Sequence, residues 1–181
     1  MPERPIGSDT MTVKEYLDAQ QVTCTPSQPD AAAPVSVTIP QLPGWELAPP
    51  EAVPGAYTVL ANPTNTSENW CPNAVLLHGE LSAPVDAEQL LTCAFTDSRR
   101  LPDWRENESN RVPYQGHPSA FVRGVYIAEQ WTVSATTRYV VVTHGSRQFM
   151  TQLTVTTLLD QADDLEVDVT VINVGLTITT S

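Results

Sequence analysis

Residues 119–157, SAFVRGVYIAEQWTVSATTRYVVVTHGSRQFMTQLTVTT, decide the fold class of this chain. Alternation of apolar and polar residues predicts three successive antiparallel strands, over residues 120–127, 131–143 and 148–157. Residues 144–147, HGSR, have the composition of a tight hairpin turn between the second and third strands. The centre of the fold is therefore predicted to be an antiparallel β-sheet.

Two helices are predicted upstream of these strands. Thr12 and Glu15 have the spacing of a capping box at the start of a helix over residues 12–21. Asp86 can cap a second helix, and its apolar residues form one stripe of the kind that packs on a sheet. That stripe consists of Ala87, Leu90, Leu91, Ala94 and Phe95. Helices beside an antiparallel sheet predict the α+β class.

Shorter strands and loops fill the region between the helices. Strands are predicted over residues 35–39, 56–60 and 74–81, because these segments are rich in apolar or alternating residues. The Pro-rich and polar segments between them predict loops, as does the polar stretch after the second helix. These loop segments cover residues 25–34, 46–55, 61–72 and 98–111.

The C-terminal segment is compatible with two structures. Leu165, Val167, Val169 and Val171 alternate as in a strand, and their β-branched side chains favour that interpretation. A helical stripe fits the same segment equally well in spacing. The stripe comprises Leu165, Val169, Ile172 and Leu176.

Composition limits the classes of partner. The chain has 181 residues, a formal net charge of −12 and a single lysine, Lys14. An acidic chain without a basic cluster is repelled by nucleic acid and by anionic bilayers. No apolar run is long enough to form a transmembrane segment, and the polar start MPERPIGSDTM does not fit a signal peptide. We expect a disordered tail over residues 1–11 and one domain over residues 12–181.

The residues that could carry catalysis form no known catalytic motif. His117, Ser119 and Asp103 are the residue types of a serine hydrolase, but no G-x-S-x-G segment is present. Neither the histidines nor the acidic residues have the spacing of a metal site, and no phosphate-binding glycine loop occurs. We therefore expect no catalytic residue, no metal and no cofactor. A hydrolase that uses Ser119 and His117 is the alternative.

Tryptophans in or beside loops are the candidate ligand-binding residues. A tryptophan at a loop edge can line an apolar cleft and present its N–H group, although it can also cap the core. Three of the four stand in or beside Pro-rich loops, in the segments PGW, ENWCP and LPDW. The four candidates are Trp45, Trp70, Trp104 and Trp131.

The chain resembles the actinobacterial LpqN/LpqT family of envelope lipoproteins, which includes a proline-rich mycobacterial antigen. The resemblance covers about residues 12–180 and rests on the order and spacing of several segments. These segments are TVKEYLDAQQV (12–22), VTIPQLPGW (37–45), VDAEQLL (85–91), GHPSAFVRGVY (116–126) and TRYVVVTHGSRQFMTQLTVTT (137–157). None of them is a catalytic signature.

The resemblance implies a PsbP-like α+β fold, in which an antiparallel sheet is flanked by helices. It also implies a helix at about residues 163–174 and a last strand over residues 175–180, against the propensity of these residues. Cys24 follows the first helix and is not a lipobox cysteine. Where the family has Gly-x-x-Asp-Pro before the second helix, this chain has Ala83, Asp86 and Ala87.

The family's known roles suggest a non-catalytic binding protein of the cell envelope. Its members are exported, and some are linked to glycolipid binding, to lipid transporters or to contact with host proteins. We expect this chain to bind a lipid or glycolipid, or an envelope or host partner protein, with a pure protein-interaction adaptor as a further alternative. Its location is extracytoplasmic if an export segment precedes Met1, and cytoplasmic otherwise.

Overall fold

A computed structural model describes residues 10–29 and 32–181. Within these residues the chain forms three α-helices and ten β-strands. In chain order they are α1 (Val13–Ala19), β1 (Cys24–Pro26), β2 (Val35–Thr38), β3 (Glu46–Leu47), β4 (Thr58–Ala61), β5 (Asn73–Leu81), α2 (Ala87–Arg99), β6 (Arg105–Asn110), β7 (Ser119–Ala128), β8 (Trp131–His144), β9 (Arg147–Leu158), α3 (Glu166–Val174) and β10 (Thr177–Thr180).

One large antiparallel sheet forms the middle of the molecule. Its strand order is β3-β4-β5-β9-β8-β7-β6, so the three predicted strands β7, β8 and β9 lie side by side as two hairpins. β1 pairs with the end of β5 that β4 leaves open. β2 and β10 form a separate two-stranded sheet. The predicted α+β fold with an antiparallel sheet is confirmed.

Helices cover both faces of this sheet. On β8, Tyr139 and Val141 join a buried cluster with residues of α1 and α2. The alternate residues Val140 and Val142 join another cluster with residues of α3 and β2. Since successive side chains of a strand point to opposite faces, α1 and α2 lie on one face and α3 and β2 on the other.

The predicted caps form and fix where the first two helices begin. Thr12 Oγ1 accepts a hydrogen bond from the Glu15 backbone N–H (3.2 Å), and the Glu15 carboxylate accepts one from the Thr12 N–H (2.9 Å). Asp86 Oδ1 accepts from the N–H groups of Glu88 (2.9 Å) and Gln89 (3.2 Å). These bonds satisfy backbone donors that have no partner within a helix.

Three short strands contradict the loop predictions. β1 and β3 begin within or beside Pro-rich segments, and β6 lies in the polar stretch 98–111. The sequence of β6, RENESN, has no apolar residue because it forms an edge of the sheet and its side chains are largely exposed. Its backbone pairing with β7 makes it a strand, and hydrophobic alternation cannot reveal such pairing.

The strand interpretation of the C-terminal segment is wrong, and the helix implied by the resemblance is correct. Val169 and Ile172 of α3 are buried against the sheet, so tertiary packing overrides the β propensity of its valines. β10 follows and pairs with β2.

The structure bears on two further predictions, the N-terminal tail and the absence of a transmembrane segment. Residues 1–9 of the predicted disordered tail lie outside the described residues, whereas Met11 is half-buried and packs against the cluster of α1 and α2. In the part of the chain that the structure describes, no helix has the length and apolar character needed to cross a membrane.

Candidate functional site

Helix α3 packs on β8 and β9 and leaves a groove on the side that faces β6 and β7. We call it the α3 groove. It consists of two cavities of about 190 Å³ and 170 Å³, which share Arg123. The first is floored by Ser134, Thr136, Val155 and Thr157 of the sheet. The second is lined by Phe121, Arg138, Thr170, Asn173 and Val174, among others.

A third cavity extends the α3 groove at the N-terminal side of α3. Its volume is about 310 Å³, and Leu159 lines both it and the first cavity. Glu68, Thr132 and Leu158 lie on its other sides. The three cavities therefore follow one another along a single face of the molecule.

The solvent side of α3 is unusually apolar. Val167, Val171 and Val174 are 73%, 37% and 59% exposed. Their spacing of four and three residues puts them on one face of the helix. Leu159, before α3, is 44% exposed. We call Val167, Val171, Val174 and Leu159 the valine rim. Leu159 and Val174 line cavities of the α3 groove, and Val167 and Val171 extend the exposed apolar surface along α3. Adjacent exposed apolar residues of this kind are typical of a binding surface.

Arg138 and Asn173 form a half-buried contact at the second cavity. Arg138 Nε and one terminal nitrogen donate to Asn173 Oδ1 at 3.1 Å and 3.0 Å. The guanidinium lies 4.4 Å from the ring centre of Tyr114 and 5.0 Å from that of Phe121. Burial lowers the pKa of Arg138 from its usual value, but a guanidinium keeps its proton. The group is thus a fixed positive charge stacked on aromatic rings.

Arg123, where the two cavities meet, is less well satisfied. Its Nε atom is buried and has no hydrogen-bond partner, and the Nδ2 atom of Asn173 is in the same condition. Both residues line the second cavity. Buried donors without acceptors are rare in folded proteins and cost stability. The α3 groove is therefore lined by two residues that each have a buried donor without a partner.

The opposite face of the sheet has a cavity of a different kind. It measures about 280 Å³ and lies between the C-terminal end of α2 and strands β8 and β9. There the Asp97 carboxylate accepts hydrogen bonds from the Val13 N–H (2.9 Å) and the Tyr139 hydroxyl (3.0 Å). Burial raises the pKa of Asp97 from its usual value. The acid of this cavity already has its partners, so the α3 groove is the stronger candidate site.

Two of the four candidate tryptophans lie together near the third cavity. The ring centres of Trp70 and Trp131 are 5.4 Å apart, and both residues are half-buried. Trp131 Nε1 donates to the Glu68 carbonyl oxygen (2.7 Å), and Glu68 lines the third cavity. This pair stands beside one end of the α3 groove.

The other two tryptophans pack elsewhere. Trp45 is 1% exposed within the core, and its Nε1 donates to Asp168 of α3 at 2.9 Å. Trp104 lies against Gly124 on the α2 face. The four tryptophans thus do not share a cleft, and ligand contact at any of them stays a prediction.

The serine–histidine alternative lacks the geometry of a hydrolase. Ser119 is buried, and its hydroxyl donates to the Tyr139 carbonyl oxygen at 2.8 Å. His117 and Tyr114 exchange backbone hydrogen bonds before β7. Among the described residues no hydrogen bond joins His117 to Ser119. This arrangement gives the hydrolase alternative no activated nucleophile.

Sequence reasoning missed the polar residues of the α3 groove. Arg123 and Arg138 stand within strands whose neighbouring residues are mostly apolar, in AFVRGVY and TTRYVVV. A charged residue at such a position is rarely buried without a partner. That signal was available from the sequence, but the pairing of Arg138 with Asn173 depends on where α3 packs.

Comparison with known proteins gives the family. The family described as probable lipoprotein LpqN matches residues 9–179. The proline-rich 28 kDa antigen of Mycobacterium tuberculosis is 28% identical over 151 residues, which are 83% of this chain and 48% of the antigen. The chain therefore spans about half the length of that relative.

Two further relatives match more completely. The putative lipoprotein LpqT of Mycobacterium leprae is 26% identical over 171 residues, covering 89% of this chain and 71% of LpqT. The crystal structure of LpqN, which is involved in cell envelope biogenesis of M. tuberculosis, superposes with a TM-score of 0.83 at 20% identity, covering 94% of this chain and 98% of LpqN. Matched over nearly its whole length, the chain belongs to the LpqN family of probable lipoproteins.

Proposed function

We propose that this protein is a non-catalytic binding protein of the cell envelope that takes the apolar part of a lipid or glycolipid into the α3 groove. The observation that carries this proposal is the valine rim, an exposed apolar stripe whose members Val174 and Leu159 line the α3 groove. Family membership supports the envelope location, because its relatives include LpqT, a putative lipoprotein, and LpqN, involved in cell envelope biogenesis.

Burial of apolar surface supplies the affinity. Each methylene group removed from water contributes about 0.8 kcal/mol, so a chain lying against the valine rim can bind without any covalent step. The two cavities of about 190 and 170 Å³ are each smaller than the roughly 300 Å³ of a typical ligand pocket. The ligand is therefore expected to lie along the groove, with its polar head at one end.

Native mass spectrometry tests this proposal with dodecyl maltoside, which has a neutral sugar head and one alkyl chain, and with an envelope lipid extract. The unmodified chain should retain a ligand in both cases. Val174→Asp places a carboxylate on the part of the valine rim that lines the second cavity and should weaken retention by about tenfold or more, because the charge would lose water on binding. Leu47→Asp is the control, since Leu47 is 65% exposed and lines none of the three cavities.

Equal ligand retention in Val174→Asp and Leu47→Asp would show that the lipid does not bind in the α3 groove. Failure of every lipid to bind would remove the proposed function. An activity on ester or glycoside substrates that is lost in His117→Ala would restore the hydrolase alternative.

Docking of a partner protein is the second candidate function. Three exposed valines on one face of α3 are also what a protein partner would cover in an interface with an apolar centre. Cross-linking from position 167 in envelope extract discriminates the two candidates. Cross-linking of a single protein in high yield, with a yield that added lipid does not reduce, would favour a partner protein over a lipid.

A further inference from the structure

The charges of the α3 groove differ from those on the rest of the surface. This acidic chain has nine basic residues, and five of those that the structure describes form ion pairs with carboxylates. They are Lys14, Arg99, Arg100, Arg111 and Arg147. Within residues 10–29 and 32–181, three arginines form no ion pair. Arg105 is exposed on β6, whereas Arg123 and Arg138 line the groove. Two positive charges without an ion-pair partner therefore line one cavity.

Arg138 determines which way the Asn173 side chain points. Asn173 is only 2% exposed, and its Oδ1 atom accepts both hydrogen bonds from Arg138. Exchanging the oxygen and nitrogen of this amide would direct N–H groups at a guanidinium that can only donate. Its Nδ2 group is thus held away from Arg138 as a donor, and it is buried without a partner.

Arg123 provides the second unsatisfied donor on the same cavity. Its Nε is buried and unpaired, and its guanidinium lies 5.8 Å from the ring centre of Phe121. The ring centre of Phe121 also lies 5.0 Å from the guanidinium of Arg138, so both positive groups contact the same aromatic ring. A ligand that pairs with these donors must present hydrogen-bond acceptors, and an anionic ligand would also neutralise the arginine charge.

We propose that Arg123 and Asn173 form an oxyanion subsite that binds a phosphoryl group. A phosphoryl group has several acceptor oxygens, so it can accept from the planar fork of Arg123 and from the Asn173 amide at once. The source is either the head group of an anionic lipid or a free phosphate. The subsite would form the head-group end of the α3 groove, so this inference rests on the proposed function.

Acidic side chains that line the two cavities oppose the binding of an anion in the α3 groove. Glu108 is directly opposite Arg123 in the pairing of β6 with β7 and lines the second cavity. Asp163 and Glu166 line the first cavity. None of the three forms an ion pair with Arg123. These carboxylates repel a bound phosphate, so Glu108→Gln should tighten phosphate binding.

Nitrogen-15 NMR of the arginine Nε–Hε groups tests the subsite at constant ionic strength. The full chain is titrated separately with inorganic phosphate, dodecyl phosphate and dodecyl maltoside. We expect a saturable shift of the Arg123 resonance with both phosphates. Arg123→Gln should weaken dodecyl phosphate binding about tenfold or more, the usual effect of losing a charge-assisted hydrogen bond. Lys14→Gln, which removes the same charge on the other layer of the fold, should leave it within about twofold.

The three ligands separate the possible outcomes. Tighter binding of dodecyl phosphate than of phosphate assigns the subsite to an anionic lipid, and equal binding assigns it to free phosphate. No Arg123 shift with either phosphate, while dodecyl maltoside binds, overturns the subsite and leaves the proposed function intact. An Arg123 shift with phosphate, without tighter binding of either dodecyl ligand, supports the subsite and removes the proposed function. The Arg123 resonance is observed in the unmodified chain, so the test does not depend on a variant that folds.

Discussion

Helices α2 and α3 pack on opposite faces of the same sheet, but they bury their apolar residues to different extents. In α2 the large apolar residues Leu90 and Leu91 are 1% exposed. In α3 the valines at 167, 171 and 174 remain exposed on its outer side. Asp97 of α2 has two hydrogen-bond partners, whereas Asn173 of α3 has a buried donor with none.

With the proposed function, this difference separates a helix that serves stability from one that serves binding. A protein that only needed to fold would gain by covering the valine rim or by pairing Arg123 with a carboxylate. Residues that leave stability unused in this way are expected at functional sites. The α3 side is therefore where we propose that a ligand completes the packing.

Truncation of one residue on each helix should give the largest contrast. Leu90→Ala removes a fully buried side chain from α2 and should lower the free energy of unfolding by about 2–5 kcal/mol. Val171→Ala on α3 should change it by less than about 0.5 kcal/mol. Urea unfolding followed by circular dichroism measures both. Similar losses for the two variants would mean that α3 is packed as tightly as α2.

Two adjacent residues of β7 should respond in opposite ways. A Cβ atom at Gly124 would lie 2.4 Å from Trp104 and 2.6 Å from the Arg105 carbonyl oxygen, so Gly124→Ala should destabilise the fold by about 1–3 kcal/mol. Arg123→Ala removes a buried unpaired donor on the other face, so it should be neutral or stabilising. Thermal unfolding of both variants checks this. A marked loss of stability in Arg123→Ala would show that Arg123 serves the fold.

A smaller effect, a loss of stability in mild acid, should arise from His78. This residue is buried beneath β2, on the same face of the sheet as α3. Its Nδ1 lies 2.9 Å from Thr151 Oγ1, and its Nε2 lies 3.3 Å from the Val35 carbonyl oxygen. Burial lowers the pKa of His78, so in mild acid the unfolded chain binds a proton that the folded chain does not. Stability is therefore full above about pH 6.5 and falls as the pH drops below it.

Urea unfolding between pH 7.5 and 5.5 measures this slope. In His78→Gln the slope should be shallower, because Gln cannot titrate and still offers hydrogen-bonding groups to Thr151. An unchanged slope in His78→Gln would assign the pH dependence to other groups.

The central sheet and the first two helices could be predicted from sequence because local signals encode them. The capping box of Thr12 and Glu15, the cap of Asp86 and the alternation over residues 119–157 each act over a few residues. β6 and α3 could not be predicted in this way. The polar β6 is a strand because β7 pairs with it, and the β-branched α3 is a helix because the sheet buries one side of it.

The candidate site was harder to predict for the same reason. Tryptophans in loops were the visible hint, yet Trp45 is a core residue and Trp104 covers Gly124. The donors that distinguish the α3 groove come from β7, β8 and α3, which are far apart in sequence. Only the packing of α3 brings Asn173 to the two arginines.

Amide hydrogen exchange with and without a ligand shows where on the fold a lipid binds. Dodecyl maltoside and dodecyl phosphate are each added below their critical micelle concentrations. One or both ligands should slow exchange in α3 and in the parts of β6 and β7 that line the groove, while exchange in α1 and α2 stays unchanged. Protection confined to α1 and α2, or no protection with either ligand, would rule out binding in the α3 groove.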